Sequence, residues 1–343
     1  MIFKFNPALF YVDNAELQKT LLRLILDFTD RRYLWDFENL TEIIYNDDNA
    51  FFDNSITARY LPEPILQELE DRIDIILQQS AYISQPQKFY FTTIVIGLEA
   101  DETSPNDALR ISELPSLIFL ENGTNDWNFI KGIIDNYANH NTKKTVFKAV
   151  QQAYLSNRLV PVGLGGAGEL IKVIKAYISG NYVDIQRHKL MTVFDSDRDN
   201  SVSINNKWHN ALTYLKNDRA FDITNVVEWS YANEDRINWH MLYKREIENY
   251  IPKELLFSNI EQLTEEAKKE IDQLTPDGYD FFNFDKYLED HKNRTSELFL
   301  ITSNRVILEQ RCIHHSVKAE VPSGILEDIV ELESIMQMVA KLI

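Results

Sequence analysis

The chain has 343 residues, enough for two domains or for one domain with large additions, and 44% hydrophobic with 26% charged residues is ordinary for a folded soluble protein. With 53 acidic against 35 basic residues and a formal net charge of -18, binding nucleic acid through bulk charge is excluded, so any such contact needs a local basic surface, a bound metal or a partner. The single cysteine, Cys312, excludes an internal disulfide, the N-terminus lacks a signal-peptide core, and no apolar run approaches the ~20 residues of a membrane span, so the expectation is a cytoplasmic protein with no membrane association.

In chain order, residues 14–28 place Leu17, Leu21, Leu22, Leu24 and Ile25 at helical spacing, and residues 62–79 form a second amphipathic helix. KFYFTTIVIGL (88–98) reads as a strand, and the polar segment 99–115 as a linker or exposed loop. From Pro115 a strand–turn–helix rhythm begins. Strands are predicted at 116–121, 158–164 and 188–194, each followed by a helix, and a fourth at 220–229. Alternation of this kind implies right-handed βαβ units, a parallel sheet and helices on its faces. Helices are predicted at 259–274, 284–292 and 324–343, with a strand at 298–308. The expected organisation is an N-terminal α/β domain over 1–112, an α/β core over 113–255 and a mostly helical extension over 256–343.

Ligands in parallel sheets sit beyond the carboxyl ends of the strands. Glu121, Gly165-Gly166 and Asp195/Asp197 each fall just past a predicted strand end. The loop FDSDRDN admits three readings. As a calcium loop, Asp195, Asp197 and Asp199 supply the first three ligands, but Asn200 stands where a glycine is needed and Asn206 where a bidentate glutamate is needed. As a phosphatase loop, Asp195 is a nucleophile, although two strand–helix units precede it and Asp199 occupies the fifth position. The third reading takes the whole order of strand–Glu, strand–GlyGly–helix, strand–Asp-x-Asp and a later acidic segment.

That order resembles the TOPRIM domain, the metal-binding catalytic module of topoisomerases, bacterial primases and OLD-type nucleases. Glu121 closing LIFLE matches the family's glutamate, Gly165 and Gly166 its glycine turn, Asp195 and Asp197 its Asp-x-Asp. LYKREIENYIP (242–252) is similar to the Glu-x-Glu-Asn-Tyr segment of OLD-like and related phage-defence nucleases. The resemblance covers roughly residues 113–255. It departs from the family at Glu121-Asn-Gly-Thr-Asn-Asp126, where one extra residue separates Glu121 from Asp126 and leaves the role of Asp126 open.

The resemblance implies a TOPRIM-like parallel sheet and Mg²⁺- or Mn²⁺-dependent cleavage of phosphodiester bonds in DNA or RNA, including transfer RNA. Hard cations take carboxylate and water ligands. Glu121, Asp195 and Asp197 are the implied ligands and catalytic groups. Asp199 would act through water or cap the helix beginning near Asn206, Glu246 or Glu248 would complete a second metal position, and Lys244 or Arg245 would meet the scissile phosphate, unless Lys244 only pairs with Glu248 along a solvated helix. Gly165 and Gly166 would either approach a phosphate or form only a tight turn. No Walker A sequence occurs, so the chain is not itself an ATPase. By resemblance to split anti-phage systems it would be an effector gated by an ABC/OLD-type ATPase partner subunit, with a homo-oligomer also open. The competing expectation is a non-catalytic binding or regulatory module whose metal site is structural or vestigial. Trp208, Trp229 and Trp239 are expected in the core, and His314-His315 lacks spaced partners and is expected to be structural or solvent-exposed.

Overall fold

The computed structural model describes residues 1–29, 33–44, 55–60, 62, 64, 75, 76, 78, 81, 85–138, 144–179, 184–219, 234–261, 263–288, 291–301, 316–320 and 326–343. Most of the predicted helix 62–79, the predicted strand 220–229, Trp229, Cys312 and His314-His315 lie outside the described residues. The chain divides into two compact units, one of Met1–Ser116, Val183–Lys189 and Ala340–Ile343, the other of Leu117–Tyr182 and Leu190–Val339. Residues 256–339 fall within the second unit.

The first unit holds a three-stranded sheet of β1 (Ile2–Phe5), β2 (Leu34–Trp35) and β3 (Thr93–Ile96) in the order β2-β1-β3. Both pairings are parallel. Phe3, Phe5, Phe28 and Trp35 form its buried aromatic centre. Two sequence readings are corrected here. The strand predicted at 88–98 is confined to β3, because Gln85–Lys88 is a helical turn. The predicted linker 99–115 contains a helix, Pro105–Glu113, started by Ser104, whose Oγ accepts from the Asp107 N–H at 3.2 Å. Ser-Pro-x-Asp is a helix start, with proline at the first helical position costing nothing. Polarity had masked it, since only Ala108, Leu109 and Ile111 give it an apolar stripe.

The second unit is α/β. Its sheet comprises β4 (Ser116–Leu120), β5 (Leu159–Gly163), β6 (Leu190–Phe194) and β7 (Asn238–Met241), in the order β5-β4-β6-β7. β4, β6 and β7 run parallel. Just past β5, the N–H groups of Leu164 and Gly165 donate to the carbonyls of Leu120 and Glu121 at 2.8 and 3.2 Å, which ties the turn after β5 to the end of β4. Every residue of β6 is buried, the pattern of a central strand covered on both faces. Phe119, Leu190, Phe194 and Trp239 share a core with the helices Leu170–Tyr177 and His209–Leu215.

This order places the site. The chain leaves β4 for β5 on one side, then crosses to β6 and β7 on the other. The connections therefore diverge between β4 and β6, and a crevice opens beyond their carboxyl ends.

The C-terminal segment differs from the sequence reading in two places. Residues 298–301, expected to begin a strand, belong to the helix Lys292–Ile301. Within 324–343, Leu326–Val330 is a strand (β9) paired antiparallel with Ser316–Glu320 (β8), and the helix starts only at Glu331. The helix Lys292–Ile301 packs on Asn125–Tyr137. A side chain at Gly132 would place its Cβ 2.7 Å from the Phe299 carbonyl oxygen, so only glycine permits this approach. The rings of Phe129 and Phe299 lie 5.0 Å apart, and Asn128 Nδ2 donates to Ser296 Oγ at 3.0 Å. Among the described residues no helix is long and apolar enough to cross a membrane.

Candidate active-site cleft

A cleft of about 590 Å³ lies in the second unit beyond the carboxyl ends of the strands. Glu121 follows β4, Asp195 follows β6, and Gly163, Gly165 and Gly166 come from the end of β5 and its turn. Ile247 and Glu248 come from a one-turn 3₁₀ segment, Ile247–Tyr250, after β7. Asn122, Gly123, Asn125 and Asp126 line it from the start of the helix after β4, and Lys292 from the first position of the helix Lys292–Ile301.

Each of these loops is held by its own backbone chemistry. Asn122 Oδ1 accepts from the N–H groups of Thr124 and Asn125, while Asp126 returns a carboxylate oxygen to the Asn122 N–H at 2.8 Å. Gly163 and Gly123 touch backbone to backbone: a Cβ on Gly163 would lie 3.0 Å from the Gly123 nitrogen. Gly165 and Gly166 take φ values of 78° and 125°, where a side chain is strained, and the space above both is open. The glycine turn is thus bare backbone facing the cleft.

The acidic loop is fastened to the segment after β7. Ser196 Oγ donates to the Lys244 carbonyl at 2.7 Å, the Asp197 N–H to the Arg245 carbonyl at 2.9 Å, and Trp208 Nε1 to the Ser196 carbonyl at 3.1 Å. In the Glu-x-Glu-Asn-Tyr segment, Asn249 Oδ1 accepts from the Glu246 N–H at 2.9 Å and Asn249 Nδ2 donates to the Tyr279 carbonyl at 2.6 Å. Tyr250 donates its hydroxyl to Glu331 at 2.6 Å. Glu331 also accepts from the Tyr243 N–H and pairs with His240 at 2.8 Å. Burial pushes the Glu331 carboxyl up, but these partners outweigh it and hold its pKa below the usual value. Asn249, Tyr250 and Glu331 therefore act as scaffold, and their effect is to present Glu248 to the cleft.

The electrostatics set this cleft apart. Burial raises Glu121 to about 7, opposed by Lys207 and reinforced by Asp197 and Asp126. Burial raises Asp126 to about 6 against the Asn122 N–H and Lys292. Asp195 is pushed well above the carboxylate range by burial and then by the charges of Asp126, Glu121, Glu248 and Glu246. Burial and the neighbouring Glu246 raise Glu248 to about 8. Lys292 is raised in spite of its burial, by Asp285 at 2.5 Å and by Glu248 and Glu246. Carboxylates that raise one another in a shared cleft are poised for a cation or for proton transfer.

The fit to a hard divalent cation can be judged on these side chains. Glu121 Oε1 is buried and accepts no hydrogen bond among the described residues, and an oxygen withdrawn from water in this way calls for a cation or a proton. Oxygen-only donors suit Mg²⁺ or Mn²⁺. Glu121, Asp126, Asp195 and Glu248 are the groups that would hold it. Against this, no group of three or more His, Cys, Asp or Glu side chains among the described residues stands at metal-ligand spacing.

The residues expected from sequence divide into two sets. Glu121, Asp195, Glu248, Gly165 and Gly166 meet in the cleft, and Asp126 joins them. Asp197 is ion-paired with Lys207, and Asp199, with 80% of its side chain exposed, is ion-paired with Arg245. Glu246 is buried and accepts from the Phe284 N–H at 2.8 Å. Lys244 is wholly buried, its ammonium 2.8 Å from Asp280. The three aspartates of the loop do not converge, as a calcium loop would require. Trp208 and Trp239 are buried in the core. Lys292, Gly123 and Gly163 were missed. The two glycines carry a local signal, each adjoining a strand end, whereas nothing near Lys292 marks it.

The second unit thus belongs to the α/β class with a carboxylate-lined cleft at the switch point of a parallel sheet. No known protein family, curated protein or solved structure matches this chain.

Proposed function

We propose that the cleft is the active site of a metal-dependent nuclease with a TOPRIM-like core. The observation that carries the reading is the convergence of Glu121, Asp126, Asp195 and Glu248 at the switch point, opposite a bare glycine turn. A bound Mg²⁺ or Mn²⁺ would polarise the phosphodiester and lower the pKa of an attacking water. The chain's own groups do the rest. Asp195 and Glu248 hold negative charge toward the metal position, and Glu121, on the neighbouring strand, serves either as a further ligand or as a general acid or base. Gly165 and Gly166 let a phosphate approach the backbone without a side chain intervening, and Lys292 offsets part of the negative field. Gating by an ATPase partner, and a role as an anti-phage effector, follow from the family resemblance alone.

A second reading, a non-catalytic module with a vestigial site, is favoured by the lack of a three-carboxylate group at ligand spacing among the described residues and by the internal pairing of Asp197 and Asp199. The two separate on incubation of the purified protein with plasmid DNA and with total transfer RNA, each with Mg²⁺, Mn²⁺ or EDTA. The nuclease reading predicts metal-dependent cleavage that is lost in Glu121→Ala and in Asp195→Ala. Cleavage surviving both variants, or no cleavage even with an ATPase partner supplied, contradicts it.

A further inference from the structure

Lys207, in the loop that follows Asp195, is held in an arrangement that the proposed nuclease chemistry does not require. Its ammonium is ion-paired with Asp197 and lies 4.7 Å from the centre of the Trp208 ring. It is also the largest opposing charge acting on Glu121. Asp197 itself is fixed in an unusual backbone state, with φ of 51°, by its N–H bond to the Arg245 carbonyl. Asn205 ties the two ends of the loop, donating from Nδ2 to the Asp197 carbonyl at 3.4 Å and accepting from the Lys207 N–H at 3.1 Å. Asp195 lines the cleft, and Asp197, two residues on, does not.

We infer that Lys207 is a built-in stand-in for the cation: it occupies the Asp197 carboxylate, and a divalent ion entering the carboxylate cluster must compete with it for that group. The inference rests on the metal-binding reading above. The side chains of Lys207 and Asp197 are 41% and 27% exposed, so the pair is half-buried and still open enough to solvent to exchange partners at modest cost. Once displaced, the ammonium is a cation whose charge still reaches Glu121 and is free to meet an anionic substrate. Metal occupancy then turns an internal ion pair into a phosphate-binding group. Indiscriminate binding of polyanions by a chain of net charge -18 is suppressed until that exchange occurs.

The test is the Mn²⁺ binding isotherm of the full chain as wild type, Lys207→Met and Lys207→Arg, each with and without Asp197→Asn. Methionine keeps the stem over Trp208 and removes the charge, and asparagine tolerates the positive φ. Lys207→Met should bind Mn²⁺ roughly twofold to fivefold more tightly, the size of competition from a partly exposed ion pair. Lys207→Arg should bind like wild type, and in the Asp197→Asn background the gain from Lys207→Met should shrink to the part owed to the charge lost beside Glu121. Unchanged or weaker binding by Lys207→Met, or a gain that is undiminished without Asp197, overturns the inference while leaving the metal centre standing. Absence of Mn²⁺ binding in every form overturns the metal centre itself, and the inference with it.

Discussion

Burial raises Glu248 to about 8 and Asp195 well above the carboxylate range, so ionising either in the metal-free fold works against neighbours of the same sign. Removing one charge without changing shape relieves that repulsion. Glu248→Gln, in EDTA at pH 8, should raise the thermal midpoint through a gain on the order of 1 kcal/mol. The same substitution should abolish stabilisation by Mn²⁺; a lower midpoint in EDTA would show that the Glu248 carboxylate is a structural asset. Gly163 makes the opposite prediction. Its Cβ would meet the Gly123 backbone at 3.0 Å, where no flexible side chain can yield, so Gly163→Ala should cost about 1–3 kcal/mol in denaturant unfolding. Glu331→Ala should cost about 3–5 kcal/mol, since it strands His240 and the Tyr250 hydroxyl around a vacated buried carboxylate; a cost under about 1 kcal/mol would contradict the scaffold role.

At the scale of elements, the helix Lys292–Ile301 is the part on which the cleft depends and which the sequence least revealed. It carries a lysine at its first position and no acid in its first turn, the reverse of what the helix dipole favours. The neighbouring carboxylates of Glu246, Glu248 and Asp285 supply the compensating charge. Gly132→Ala, whose Cβ would lie 2.7 Å from the Phe299 carbonyl, should push this helix off Asn125–Tyr137. Lost stability and weakened Mn²⁺ binding should appear together, while unchanged binding would show that Lys292 and Asp126 do not depend on that packing.

β4 and β6 were legible because strands buried on both faces read as apolar runs ending in polar turns, as in LIFLE and LMTVF. β1 and β7 were not: IFKF and NWHM are four residues each, too short to show a period, and their pairing is non-local. Glu121, Asp195 and Glu248 were legible through their places after strands and in the Glu-x-Glu-Asn-Tyr pattern. Lys292 was not, because only tertiary packing brings it to the cleft. Asp197, Asp199 and Lys244 show the converse limit, since sequence gives no hint that Lys207, Arg245 and Asp280 are their partners.

For the molecule as a whole, the raised carboxylates of the cleft outweigh His188, whose pKa burial lowers to about 4 and which acts in the opposite sense up to its ordinary value. Between the ordinary glutamate value, about 4.3, and the folded values of about 7 for Glu121 and about 8 for Glu248, the folded state binds more protons than the unfolded one. Stability of the metal-free protein should therefore fall as pH rises through that window. A divalent cation needs those same groups deprotonated, so its affinity should rise over the same range, with release of protons. The most direct measurement is the difference between thermal midpoints in Mn²⁺ and in EDTA, taken from pH 5 to pH 8 for wild type and Asp195→Asn. A metal centre in this cleft predicts a difference near zero at pH 5 that grows toward pH 8 in wild type and stays near zero in the variant. A difference that is flat with pH, or equal in the two proteins, would contradict it.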